Sequence, residues 1–85
     1  MAKLHFSLVA PERELYSGEV DQVIAPGTEG QFGVLAGHAP FMTTLAEGDV
    51  TVMDGAARRI FAIRGGFADV TASGLIILAE HATEA

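Results

Sequence analysis

Three histidines, three serines, one lysine and a glycine run are the residues of this chain that could do chemistry. The run is "GTEGQFGVLAGHAP", residues 27 to 40, with glycines at 27, 30, 33 and 37, then His38 and Pro40. Such a run can cradle a phosphate, hold a metal or turn the chain. A phosphate loop needs a lysine and a hydroxyl residue after its last glycine, opening a helix. Here His-Ala-Pro follows, and the one lysine is Lys3. A dinucleotide loop needs G-x-G-x-x-G before a helix. The glycines here are spaced by three, three and four, and Pro40 blocks a helix start at His38.

Metal chemistry would need clustered ligands. His5, His38 and His81 stand apart, with no H-x-H or H-x-x-x-H pair. The simpler reading is that His38 shapes a loop while His5 and His81 lie on the surface. Ser7, Ser17 and Ser73 lack a nucleophile-elbow context, and cysteine is absent. Glu12 with Glu14, and Glu19 with Asp21, are alternate residues on strand-like pieces, the usual pattern of a solvated face. A lipoyl or biotinyl carrier needs a lysine at a hairpin tip, which Lys3 at the N-terminus cannot supply. No catalytic, metal or cofactor constellation emerges, and no cofactor is expected.

The elements that must position these residues are short. Glycine and proline punctuate the chain from Pro11 to Gly74, leaving pieces mostly under about ten residues, too short for helices. In "KLHFSLV", Leu4, Phe6 and Leu8 share one face, and Lys3, His5 and Ser7 the other. "EVDQVIA" runs extended into Pro26, which announces a turn. "FMTTLAEG", "DVTVM" and "RRIFAIR" read as strands, and "ADVTASGLIILA" divides at Ser73-Gly74. About nine or ten short strands predict an all-β sandwich or barrel, one domain over residues 1–85. Residues 56–63 would also suit a short helix, and the tail "AEHATEA" could begin one.

Composition bounds the partners. A domain of this size buries only about 60% of its unfolded surface, yet 49% of the residues are hydrophobic. The thin core leaves apolar surface over for another protein. The strands around Ile60, Phe61 and Ile63 and around Leu75 and Ile77 are apolar on both faces. Either a partner or the protein's own loops must cover the second face. A net charge of −6 argues against nucleic acid, which calls for a basic stripe. No apolar run approaches the ~20 residues of a membrane span, and no signal core opens the chain, so direct insertion is not expected. The glycine run then reads as an interaction loop. Glu29 and Gln31 project beside Gly30, while Phe32 and the Val34-Leu35 pair anchor it to the core.

These residues resemble a known family. The loop ending in "GHAP", the following "FMTTLAEGDV", the later "FAIRGGFADV" and the opening "LHFSLVAPERELYSGEVDQVIAPGTEG" are similar to the N-terminal β-sandwich of the epsilon subunit of the rotary ATP synthase. The resemblance covers essentially the whole chain. It implies a sandwich of two sheets with about ten strands in all. It also implies a non-catalytic subunit of the central stalk, part of a hetero-oligomeric complex on the cytoplasmic face of the bacterial inner membrane. Such a subunit binds the gamma subunit and the c-subunit ring, turns with them, and couples proton flow to ATP synthesis. By the same resemblance, Glu29, Gly30 and Gln31 face the polar loops of the c ring. His38 lies near that end, Gly27, Gly33, Gly37 and Pro40 shape the loop, and one face of the sandwich packs on gamma.

Two positions depart from the family pattern: Gln31 stands where an acid is common, and Ala36 where proline is. Many bacterial relatives continue into a helical hairpin after the sandwich, and this chain ends about where that would begin. Neither inhibition nor ATP binding is carried over. Two other readings remain open: a small metal-dependent β-barrel enzyme using His5, His38 and His81, and a free-standing protein-binding module.

Overall fold

The computed structural model describes residues 3–37 and 39–84. Ten strands follow one another with no helix among the described residues: β1 (Leu4–Ala10), β2 (Arg13–Val20), β3 (Gln22–Gly27), β4 (Gly30–Leu35), β5 (Phe41–Leu45), β6 (Gly48–Asp54), β7 (Ala57–Ile63), β8 (Gly66–Thr71), β9 (Gly74–Ala79) and β10 (Ala82–Glu84). The strand count and the sandwich expected from the sequence are both met.

Hydrogen bonding runs β10-β7-β6-β3-β5-β8-β9-β1-β2, with β4 paired to the other edge of β3. The ladder folds on itself at β3. Gln22, Val23 and Ile24 pair with Met53, Val52 and Thr51 of β6, whereas Gly27 pairs with Leu45 of β5. One sheet is therefore β4-β3-β6-β7-β10, and the other is β5-β8-β9-β1-β2. Successive side chains on a strand point to opposite faces, so alternate residues fill the space between the sheets. Leu4, Phe6 and Leu8 of β1 meet Val23 and Ala25 of β3, Val50 and Val52 of β6, and Phe61 and Ile63 of β7 there, all buried.

β1 lies parallel to β9, with His5 opposite Gly74 and Val9 opposite Leu78. That pairing needs a glycine at its start. A Cβ on Gly74 would sit 2.2 Å from the carbonyl oxygen of His5, inside any van der Waals contact. The reversal itself uses Ala72 and Ser73, and Gly74 opens β9 opposite Thr71.

Side chains close the end of the sandwich where the ladder's first and last strands meet. Tyr16 of β2 lies 5.7 Å from the Phe6 ring and 6.1 Å from the Phe61 ring, bridging the two sheets. Arg59 of β7 stacks over this group, 5.0 Å from the Tyr16 centroid and 5.4 Å from that of Phe61. Its Nε and Nη2 each donate to the carboxylate of Glu84 on β10 at 2.8 Å. One guanidinium thus joins β7, β10 and β2 through a two-pronged ion pair and two ring faces.

Two helix alternatives are corrected. Residues 57–63 form β7, because β6 offers a full antiparallel partner from Gly48 to Asp54. The tail forms β10 rather than a helix start, since Ala82 to Glu84 pair with Ile63 to Phe61 and Ala82 is buried. The glycine run is also less of a loop than expected, for Gly30 to Leu35 are strand β4.

Gly74→Ala is expected to lower unfolding stability by about 1–3 kcal/mol, the usual cost of forcing atoms into an occupied space; urea unfolding checks it. The Arg59 hydrogen bonds hold the Glu84 carboxyl below the usual carboxylate range. Its contribution is therefore complete above the ordinary carboxyl pKa and is lost as pH falls through the depressed value. Amide protection in β10 should drop in acid more steeply than in β6. Arg59→Ala should remove that extra pH dependence. Because the pair is about half exposed, its effect on global stability should be small.

Candidate functional site

The glycine run folds as the β3–β4 hairpin and the connection to β5. β3 ends at Gly27, Thr28 and Glu29 form the turn, and Gly30 opens β4 opposite Gly27. No non-glycine residue has a positive φ among those described, so Gly30 carries the reversal, with φ 130°. Around it there is open space: a Cβ would meet nothing within 4 Å. The requirement for glycine here is backbone strain alone.

Two anchors hold this tip. Thr28 donates its backbone N–H to the Thr44 carbonyl at 3.1 Å, and its hydroxyl lies 2.8 Å from the Thr44 hydroxyl. Phe32 meets Phe41 edge to face, with centroids 5.4 Å apart. The tip is thereby fixed to β5, in the opposite sheet. Between tip and β5 lies an open groove of about 380 Å³ bordered by Glu29, Gln31, Phe32, Phe41 and Met42. Among its described lining residues Glu29 is the one that carries a carboxylate. A rigid, glycine-thin tip with one carboxylate, one amide and a half-buried aromatic floor suits recognition. It offers no paired acid and base for bond-making.

The structure brings Glu29, Gly30 and Gln31 together on the tip, all exposed. Gly27 lies beneath, where a Cβ would press to 2.7 Å from the Gly30 carbonyl oxygen. Gly33 is within β4, and Gly37, with φ 81°, turns the chain after it. Pro40 is exposed just before β5, and His38 lies outside the described residues. Val34 and Phe32 anchor the run as expected, but Leu35 does not. It is 55% exposed, because alternation along β4 turns it away from Val34.

The apolar strands also resolve by alternation. Phe61, Ile63, Leu75 and Ile77 are buried within the sandwich core, so no outside partner covers those side chains. Ile60 is half-buried on the outer side of β7. On β9 the outward residues are Ile76 and Leu78, 43% and 50% exposed. Of the residues the sequence singled out on these strands, all but Ile60 face the core. Met42, which the sequence pattern did not single out, is 62% exposed; parity within "FMTTL" separates it from the core-facing Phe41 and Leu45.

His5 and His81 do not converge. His5 is exposed on β1, with Nδ1 3.0 Å from a Glu19 carboxylate oxygen. It pairs with Gly74 at the start of β9, whereas His81 follows the end of β9, roughly 20 Å further along by strand rise. They cannot share an ion, and no group of three or more ligating residues gathers among the described ones. Lys3 is held by Asp54 and by Asp21, the latter at 3.4 Å.

The geometry defines a β-sandwich domain, and comparison gives its family. Residues 3–85 match the family model for the β-sandwich domain of the ATP synthase delta/epsilon chain, and the chain belongs to this family. It is 76% identical over 85 residues to an ATP synthase epsilon chain of Caulobacter vibrioides, covering 100% of this chain and 99% of that one. It is 69% identical over 81 residues to the epsilon chain of Hyphomonas neptunium, covering 94% of this chain but 60% of that longer relative. A chain of the Euglena gracilis mitochondrial ATP synthase, solved as OSCP, F1 and c-ring, superposes with a TM-score of 0.92 at 28% identity, over 99% of this chain and 54% of that one. A chain of the Tetrahymena thermophila mitochondrial central stalk and c-ring shares the fold, with a TM-score of 0.80 at 17% identity over 96% of this chain and 66% of that one.

Gly30→Ala and Gly30→Val should each cost about 1–3 kcal/mol of stability, because the strain lies in the backbone. Thermal unfolding would measure it, and equal effects of the two would mark φ, not bulk, as the cause.

Proposed function

We propose that this protein is the epsilon subunit of a rotary, proton-translocating ATP synthase, a non-catalytic part of the rotor. In this reading it joins the gamma subunit to the ring of c subunits and turns with both, so that proton flow drives ATP synthesis elsewhere in the complex. The observation that carries the reading is the family match across residues 3–85 together with 76% identity to an epsilon chain matched over 99% of its length.

The site's geometry supports it. A rotor link must transmit torque, so its contact elements have to be stiff. The tip bearing Glu29 and Gln31 is tied to the opposite sheet by Thr28 and Thr44, and so suits contact with polar loops of the c ring. With Gln31 where an acid is common, Glu29 would supply the charge in that contact and Gln31 a hydrogen bond. The protein would reach the cytoplasmic face of the bacterial inner membrane through the complex rather than by insertion. No helix among the described residues is long and apolar enough to span a bilayer.

The test is reconstitution. Membranes stripped of their epsilon subunit should regain ATP synthesis driven by a proton gradient when this protein is added. Glu29→Lys should reduce the recovered rate several-fold while the protein remains folded by circular dichroism. Failure of the wild-type protein to associate with the stripped complex would overturn the reading.

A further inference from the structure

The β3–β4 hairpin closes on a turn that does not fix its own direction. Gly27 pairs with Gly30, leaving Thr28 and Glu29 as the two connecting residues. Two-residue hairpin loops normally take turns with a positive φ at the first central residue or at both, because those turns match the twist of the strands. Neither Thr28 nor Glu29 has a positive φ, and the positive value falls one residue later, at Gly30. Turns without the positive φ splay the strands they join. A restraint from outside the hairpin must therefore set where the tip points.

The bonds around Thr44 supply it. The Thr44 carbonyl oxygen lies within reach of three donors: the Thr28 N–H at 3.1 Å, the Thr28 hydroxyl at 3.4 Å and the Thr43 hydroxyl at 3.3 Å. The Thr28 hydroxyl is also 2.8 Å from that of Thr44, the shortest of these contacts. Thr28 belongs to the turn of one sheet and Thr44 to β5 of the other, so the bonds cross between sheets. A second hydroxyl pair shows the contrast. Thr71 is 3.0 Å from the Ser73 hydroxyl and 3.3 Å from the Gly74 carbonyl oxygen, both within its own β8–β9 hairpin. That pair cannot orient one sheet against the other. Thr28 and Thr44 are both exposed, so water can replace their hydroxyl bond and its weight in global stability is small. Its effect falls on the direction of the tip.

We propose that Thr28 and Thr44 are positioning residues: their hydroxyl pair sets the direction in which the tip presents Glu29 and Gln31, and ATP synthesis by the assembled complex depends on that direction. The inference rests on the epsilon reading above and names two residues that act through the tip. Threonine suits both places. Its hydroxyl donates and accepts, and its branched side chain holds a narrow range of χ1. Valine keeps the branch and loses the hydroxyl, whereas serine keeps the hydroxyl.

The test is a double-substitution cycle on the full chain: Thr28→Val, Thr44→Val and the two together, with Thr28→Ser as the conservative variant. Amide hydrogen exchange is the first readout. Loss of either hydroxyl should speed exchange of the Thr28 N–H roughly two- to tenfold, the weight of one hydrogen bond, while the urea midpoint of the whole domain holds. The second readout is proton-driven ATP synthesis after each variant is added to membranes stripped of their epsilon subunit. Each valine variant should recover a rate about threefold below wild type, and the double variant no less than either alone, because both changes remove one shared bond. Thr28→Ser should recover a rate within about twofold of wild type, and so should Thr71→Val, whose hydroxyl pair stays inside its own hairpin. Multiplied losses in the double variant, about ninefold, would mean that the hydroxyls act separately and would overturn the inference. Unchanged Thr28 exchange in the valine variants would overturn it too, as would wild-type synthesis by Thr28→Val or equal losses for Thr28→Ser and Thr28→Val. In all of these cases wild-type protein still restores synthesis and the epsilon reading stands. No recovery with wild-type protein would overturn both.

Discussion

The structure depends on one seam, where β3 changes the partner on its second edge from β6 to β5. Gly27 pairs with Leu45, Ala46 donates to the Pro26 carbonyl at 2.8 Å, and Thr28 donates to Thr44 at 3.1 Å. These few backbone bonds, each worth about 0.5–1.5 kcal/mol net, convert two sheets into one continuous ladder. Pro26 is compatible with the seam because it lacks an N–H but still offers a carbonyl. Among the described residues the opposite end has no such backbone junction. It is closed by side chains instead, with the Phe6, Tyr16 and Phe61 rings under the Arg59 guanidinium and its ion pair with Glu84.

This arrangement ties the glycine-bearing hairpin tip to the second sheet. Glycine lets the backbone take the path through Gly30, and Thr28 then pins that path to β5. Because the pin reaches into the second sheet, a force applied at Glu29 passes through the seam into the whole sandwich. The outward-facing Ile76 and Leu78 of β9 belong to that same second sheet. The tip groove and the outer face of this sheet share Met42, so the two surfaces adjoin.

Much of the fold was legible in the residues. Glycine and proline spacing argued against long helices, and alternation in "KLHFSLV" identified Leu4, Phe6 and Leu8 as core residues. Legibility failed where local pattern has two solutions. "AARRIFAI" carries helix-compatible alanines and arginines, and only the availability of the β6 edge made it a strand. "HATE" would not hold a strand by itself, yet pairing with Ile63, Ala62 and Phe61 makes it one. The glycine run looked like a loop because glycines interrupt any pattern, although four of its residues between Gly30 and Leu35 carry side chains and β3 pairs with them throughout.

The sequence by itself determined that this is a small all-β domain with more apolar residues than its core can use, and that "GTEGQFGVLAGHAP" lacks the lysine of a phosphate loop and the paired ligands of a metal site. Those conclusions need only residue type and spacing, because missing ligands and missing lysines are visible without a fold. Tertiary structure alone decided which side of each apolar strand is free. In "LIILA" all five positions are apolar, so their alternation is invisible to composition. Burial of Leu75, Ile77 and Ala79 leaves Ile76 and Leu78 outside, and register then places Asp69 between Ile76 and Met42. That juxtaposition joins residues 42, 69 and 76 across three strands. Such proximity is set by which edges pair and in what register, information held in the assembled sheet and in no single stretch of the chain.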